Sequence, residues 1–98
     1  MITAKLKPRP VITLIINDSV GNIELPEFAE DNYCYLSLEK DGTLTLHEDR
    51  PFVSGNGEWS NQCGVEYEIV GQYDGDVGEI WEKLICIEPH ISTYSFNV

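Results

Sequence analysis

Apolar and polar residues alternate with a period of two along much of the chain, as in strands with one buried face. Ile2, Ala4 and Leu6 alternate with Thr3, Lys5 and Lys7, which predicts a strand over 2–7 with its lysines facing out. Pro8 and Pro10 end it and keep that stretch out of a central strand. Val11–Ile16 is rich in β-branched residues and apolar on both faces, so it is expected to be the most buried strand. Residues 17–22 carry turn chemistry. Ile23-Glu24-Leu25 reads as a short strand stopped by Pro26, and 27–32 as a brief helical turn or loop.

The next segment fixes a register. Residues 33–38 and 43–48 flank Glu39-Lys40-Asp41-Gly42. A two-residue Asp41-Gly42 turn sets apolar residues against polar ones. A three-residue loop, Lys40-Asp41-Gly42, instead puts Leu38 opposite Leu44, Leu36 opposite Leu46 and Cys34 opposite Glu48. Apolar residues then gather on one face, the condition under which burial selects a register. Gly42 takes the left-handed position of the loop, Cys34 points inward, and His47, Tyr33 and Tyr35 point outward.

Residues 50–64 read as a loop, with a wide turn over 54–57 and Trp59 just beyond. A second hairpin is expected from 65–72 and 79–88 around an Asp74-Gly75 turn. It pairs Ile69 with Ile80 and Val65 with Leu84 on one face, and Glu66 with Lys83 and Val70 with Glu79 on the other. Residues 78–86 also allow a helix, with Ile80, Trp81, Leu84 and Ile85 at helical spacing. Strand is preferred, because Ile85-Cys86-Ile87 is poor in helix formers and Asp-Gly is a hairpin signal. Tyr94, Phe96 and Val98 alternate in a last strand over 91–98. No internal repeat interrupts this plan. The expected fold is mainly β, or β-dominated α+β: a twisted antiparallel sheet or half-barrel of hairpins with at most one short helix.

The length of 98 residues suits one domain. Charge divides it into a basic N-terminal strand, 1–10, and an acidic body, 11–98. The chain holds 17 acids and six bases, a net charge of −11. Lys5, Lys7 and Arg9 precede every acid, so the body sets three bases against 17 acids, a net of −14. Such a body repels phosphate, which argues against direct binding to nucleic acid or an anionic membrane. It attracts cationic surfaces. The plain alternative is that the charge serves solubility alone. The apolar run after the basic start is short and lacks a cleavage site, so it reads as a strand and not as a signal peptide. No stretch approaches the roughly 20 apolar residues of a membrane helix. A cytoplasmic location is expected.

The candidate chemistry is thin. Cys34, Cys63 and Cys86 are an odd number without CxxC spacing, so free buried thiols are expected. Cys34, His47, Cys63, Cys86 and His90 are not closely paired, so no metal site is expected, and the histidines are placed at the surface. Asp74-Gly75-Asp76-Val77-Gly78-Glu79 lacks the third oxygen-bearing position of a calcium loop. No GxGxxG, P-loop or GxSxG motif supports cofactor or nucleotide chemistry. An enzyme and a cofactor are therefore not expected.

Binding is the better expectation. Glu66 and Glu68 alternate along one strand, about 7 Å apart, close to the spacing of phosphates along a nucleic-acid strand. Asp74, Asp76, Glu79 and Glu82 extend that row around the expected hairpin tip, and Glu24, Glu27, Glu30 and Asp31 form a second group. Tyr33, Tyr35 and Trp59 are candidate anchors, unless they cover a second layer of the sheet. In size, charge and β-rich build the chain resembles small phage-encoded inhibitors of host defence, such as anti-CRISPR and anti-restriction proteins. The resemblance spans the whole chain but has no motif, so it assigns no residue. It implies a protein that blocks a basic, nucleic-acid-handling surface on a partner, as a monomer or small homo-oligomer. Two rivals are an immunity protein against a cationic nuclease toxin and an assembly subunit whose basic arm docks on a neighbouring copy.

Overall fold

The computed structural model describes residues 9–29 and 32–96. The expected strand over 2–7, and Lys5, Lys7, Glu30, Asp31 and Val98, lie outside them. The regular structure of the described chain is mostly β, in two principal sheets that do not close into a barrel. Its only helical pieces are single 3-10 turns at Glu27–Ala29 and Ile80–Glu82. The first falls within the turn expected over 27–32.

The first sheet has the order β2-β1-β9, from Val11–Ile16 (β1), Ser19–Glu24 (β2) and Thr93–Phe96 (β9). Ile16 pairs with Ser19, leaving a two-residue turn of Asn17 and Asp18 in which Asn17 takes a φ of 52°. The turn expected over 17–22 is thus too long: Ser19 to Asn22 continue the strand, because pairing with β1 satisfies their backbone. The last strand falls where the alternation of Tyr94 and Phe96 puts it, and it runs parallel to β1, the one parallel pair among the described strands.

The second sheet has the order β7-β4-β3-β8, from Cys34–Leu38 (β3), Thr43–His47 (β4), Tyr67–Gln72 (β7) and Leu84–Ile87 (β8). Its centre is the expected hairpin. Leu38 faces Leu44 and Leu36 faces Leu46. The Gly42 N–H donates to the Glu39 carbonyl at 2.9 Å, and Gly42 has a φ of 91°. That is a conformation only glycine adopts without strain. Ile12, Leu14, Ile16 and Ile23 from one sheet meet Leu36, Leu38, Leu44, Leu46 and Ile87 from the other in a single core, closed by Phe96, Ile80 and Cys34.

Three expectations give way. The hairpin of 65–72 with 79–88 does not form: β7 pairs with β4 and β8 pairs with β3, on opposite edges of the sheet. A turn at Asp74-Gly75 would leave Val77 at an exposed tip, whereas Val77 and Ile80 are buried in the core and tie down a crossover. Residues 78–86 divide between a 3-10 turn and β8, so neither regular alternative holds throughout. The most buried strands are β3 and β4, with core on one face and a covering layer on the other, while β1 buries one face. That layer lies within the expected loop 50–64, which holds a small hairpin of Phe52–Val53 (β5) and Trp59–Ser60 (β6) around the wide turn at 54–57.

Candidate functional site

The site is built on β7, one of the two edge strands of the second sheet as described. A register shift between Leu44 and Thr45 leaves Val70 as an extra residue in β7. Such bulges gather at sheet edges and re-aim side chains. Here Tyr67 and Ile69 face outward and are 61% and 67% exposed. Glu68 and Gly71 face the other side. The missing side chain at Gly71 lets Ile23 of β2 come close, since a Cβ there would lie 3.0 Å from the Ile23 Cδ1.

The acidic residues divide into groups. Glu66 is exposed just before β7, and its carbonyl accepts from the Glu48 N–H at 2.9 Å. Glu68 is half-exposed. Arg9 reaches both sheets here, with Nε 3.8 Å from Glu24 Oε1 and Nη2 3.8 Å from Glu68 Oε1. Arg9, Glu27, Phe28, Glu66, Tyr67 and Glu68 line an open cleft of about 410 Å³. Asp74 and Asp76 are exposed beyond the far end of β7, and Glu79 and Glu82 are exposed around the 3-10 turn that follows. The six acids therefore do not form one row on one hairpin. Glu66 and Glu68 share a cleft with Glu27, next to Glu24, and the other four follow the crossover.

The aromatic candidates differ in role. Tyr33 is exposed. Tyr35 is half-buried, with the Arg50 guanidinium carbon 5.9 Å from its ring centre. Trp59 is a fastener: its Nε1–H donates to the Trp81 carbonyl at 2.8 Å and holds the β5–β6 hairpin against the body. Lys40 stacks on Trp81 from 4.4 Å.

Beneath that hairpin lies a polar cluster that sequence reasoning missed. His47 is buried, not on the surface. Its Nδ1 lies 2.7 Å from Asn61 Oδ1, and its Nε2 lies 2.7 Å from Ser37 Oγ. An amide oxygen only accepts, so Nδ1 carries the proton and Nε2 accepts from the Ser37 hydroxyl. Burial lowers the His47 pKa, opposed by the Asn61 hydrogen bond, so the ring is held neutral. Serine, histidine and an amide in this order resemble a nucleophilic relay. Ser37 is fully enclosed, however, and does not line the groove above it. The cluster joins the hairpin to the sheet. Alternation along β3 and β4 marked these residues as outward-facing, but nothing local announced a cover.

The thiols also differ from expectation. Cys34 is buried as expected, but Cys63 and Cys86 are exposed. Burial, with smaller contributions from Cys86 and Glu48, raises the Cys34 pKa to about 11. Cys86 sits opposite Tyr35, on the face away from Cys34.

No protein-family model, curated protein or solved structure matches the chain. Among the described residues, no helix is long and apolar enough to cross a membrane.

Proposed function

We propose that the protein is a small acidic binding protein that blocks a positively charged, nucleic-acid-binding surface on a partner. In type it is an inhibitor like the phage-encoded anti-CRISPR and anti-restriction proteins, acting in the cytoplasm without catalysis. The observation that supports this reading is the cleft beside β7. Glu27, Glu66 and Glu68 line it and Glu24 lies beside it, and Arg9 is the one cation among its described lining residues. With 17 acids and six bases in the chain, most carboxylates have no base of their own whatever the fold. Their mutual repulsion costs folding stability and is relieved by a cationic partner. Complementary charge also speeds encounter and suppresses wrong partners.

The test is capture from a host lysate beside an unrelated acidic protein of matched charge. Captured basic proteins are then assayed for nucleic-acid binding with and without this protein. The expected result is a specifically retained nucleic-acid-binding protein whose nucleic acid is displaced. Glu66→Lys with Glu68→Lys should weaken that displacement by about tenfold or more, since charge reversal converts attraction into repulsion. Retention equal to that of the matched control, or displacement untouched by the double reversal, overturns the proposal.

A further inference from the structure

The edge of β7, unpaired on its outer side among the described residues, offers more than charge. In an antiparallel ladder, alternate residues direct their backbone groups at the neighbour and away from it. The Glu66 carbonyl accepts from Glu48, which turns the backbone N–H and C=O of Tyr67 and Ile69 away from β4. In the described sheet order β4 is the one neighbour of β7. Open clefts run along that edge. One of about 410 Å³ borders Val65 to Glu68, and one of about 310 Å³ separates Val70 to Tyr73 from β2. The bulge at Val70 breaks the ladder pattern, so the regular part of the edge is the half that ends at Ile69.

The two faces of this half differ in chemistry. Tyr67 and Ile69 are exposed on the outward face, while Glu66 and Glu68 lie on the other, beside Glu24 and Glu27. An extended segment hydrogen-bonded to this edge shows its own side chains alternately to these faces. We infer that the edge at Tyr67 and Ile69 takes an extended partner segment as an added strand, with Lys or Arg alternating with apolar residues. Its cations meet Glu66 and Glu68, and its apolar side chains meet Tyr67 and Ile69. A second copy is disfavoured as the occupant, because it brings a net charge of −11 to the same acids. The inference rests on the acidic binding reading above and specifies how that surface is used.

The probe is an acetylated, amidated peptide of four Lys-Val repeats, added to the full chain at low salt. Amide exchange of Tyr67 and Ile69 is followed by NMR. Both amides are expected to exchange about tenfold more slowly with saturating peptide, and N-methylation of the peptide's valines is expected to weaken binding about tenfold, as loss of one or two hydrogen bonds does. The N-methylated control keeps every charge and leaves the protein unaltered. Peptide binding without protection of the two amides, and without sensitivity to N-methylation, overturns the added strand while the acidic surface reading stands. Protection of both amides before peptide is added overturns it too, because the chain's own residues then fill the edge. No binding at low salt removes both readings.

Discussion

At position 47 an enclosed imidazole joins three parts of the chain, bonding Ser37 on β3 and Asn61 after β6 from its place on β4. Its pKa lies below the ordinary 6.5, chiefly through burial. The unfolded chain therefore binds a proton first as pH falls, and stability falls with pH from about 6.5 down through the folded value. The contribution of neutral His47 is complete above that window. Glu39 acts in the opposite sense, because burial raises its pKa and favours its protonated form in the fold. Urea unfolding of wild type and His47→Gln separates the two, since both chains carry Glu39. Wild type should lose more stability than the variant between about pH 7.5 and 5.5. Equal losses would remove His47 as the source. A second expectation concerns the thiols. Cys34 is enclosed and its pKa is about 11, whereas Cys63 and Cys86 are exposed. A thiol-reactive disulfide reagent near neutral pH should label Cys63 and Cys86 in the native protein, and Cys34 only after denaturant is added. Rapid labelling of all three thiols would show that the core opens.

At the level of elements, the β3–β4 hairpin carries its own instructions. Leu36, Leu38, Leu44 and Leu46 share a face only with the three-residue loop, and Gly42 supplies the φ that loop needs. A Cβ on Gly42 would also collide with the Tyr73 carbonyl oxygen. Gly42→Ala should therefore cost about 2–4 kcal/mol in urea unfolding, from backbone strain and the collision together. A loss under about 0.5 kcal/mol, the range of ordinary surface changes, would contradict this account of the loop. The β5–β6 hairpin is the contrasting case, held by distant groups: Trp59 to the Trp81 carbonyl and Asn61 to His47. Trp59→Phe should cost about 1 kcal/mol and speed hydrogen exchange in 52–60 more than in β3 or β4. Uniform acceleration would mean that the hairpin unfolds with the body. The local hairpin was legible because its neighbours are close in sequence. The pairing of β7 and β8 was not, because both the actual and the expected pairing bury apolar residues. The choice between them lies in how Val77 and Ile80 anchor the crossover.

Over the whole molecule, charge is the dominant feature. A net charge of −11 on 98 residues pushes the folded chain against itself, and Arg9 bridging Glu24 to Glu68 relieves this at one place. Those contacts are long and exposed, a geometry worth little in water. Added monovalent salt should then raise the melting temperature by several degrees, about 1 kcal/mol in a domain of this size, by screening repulsion. A temperature that stays constant or falls with salt would mean that the carboxylates do not repel appreciably in the fold.

Local pattern and composition determined the β-rich class, the β3–β4 register with Gly42 at its turn, the inward Cys34, the 3-10 turn near Glu27 and the acidic surplus. Each depends on residues near one another in sequence or on a sum over all of them. Tertiary structure alone decided that β7 and β8 are opposite edges, that β9 runs parallel to β1, that a small hairpin buries His47 with Ser37 and Asn61, and that Arg9 meets Glu24 and Glu68. These depend on distant segments competing for the same core and the same backbone partners. A period of two marks which side of a strand is apolar. It cannot say which strand lies alongside, nor whether a polar side is covered.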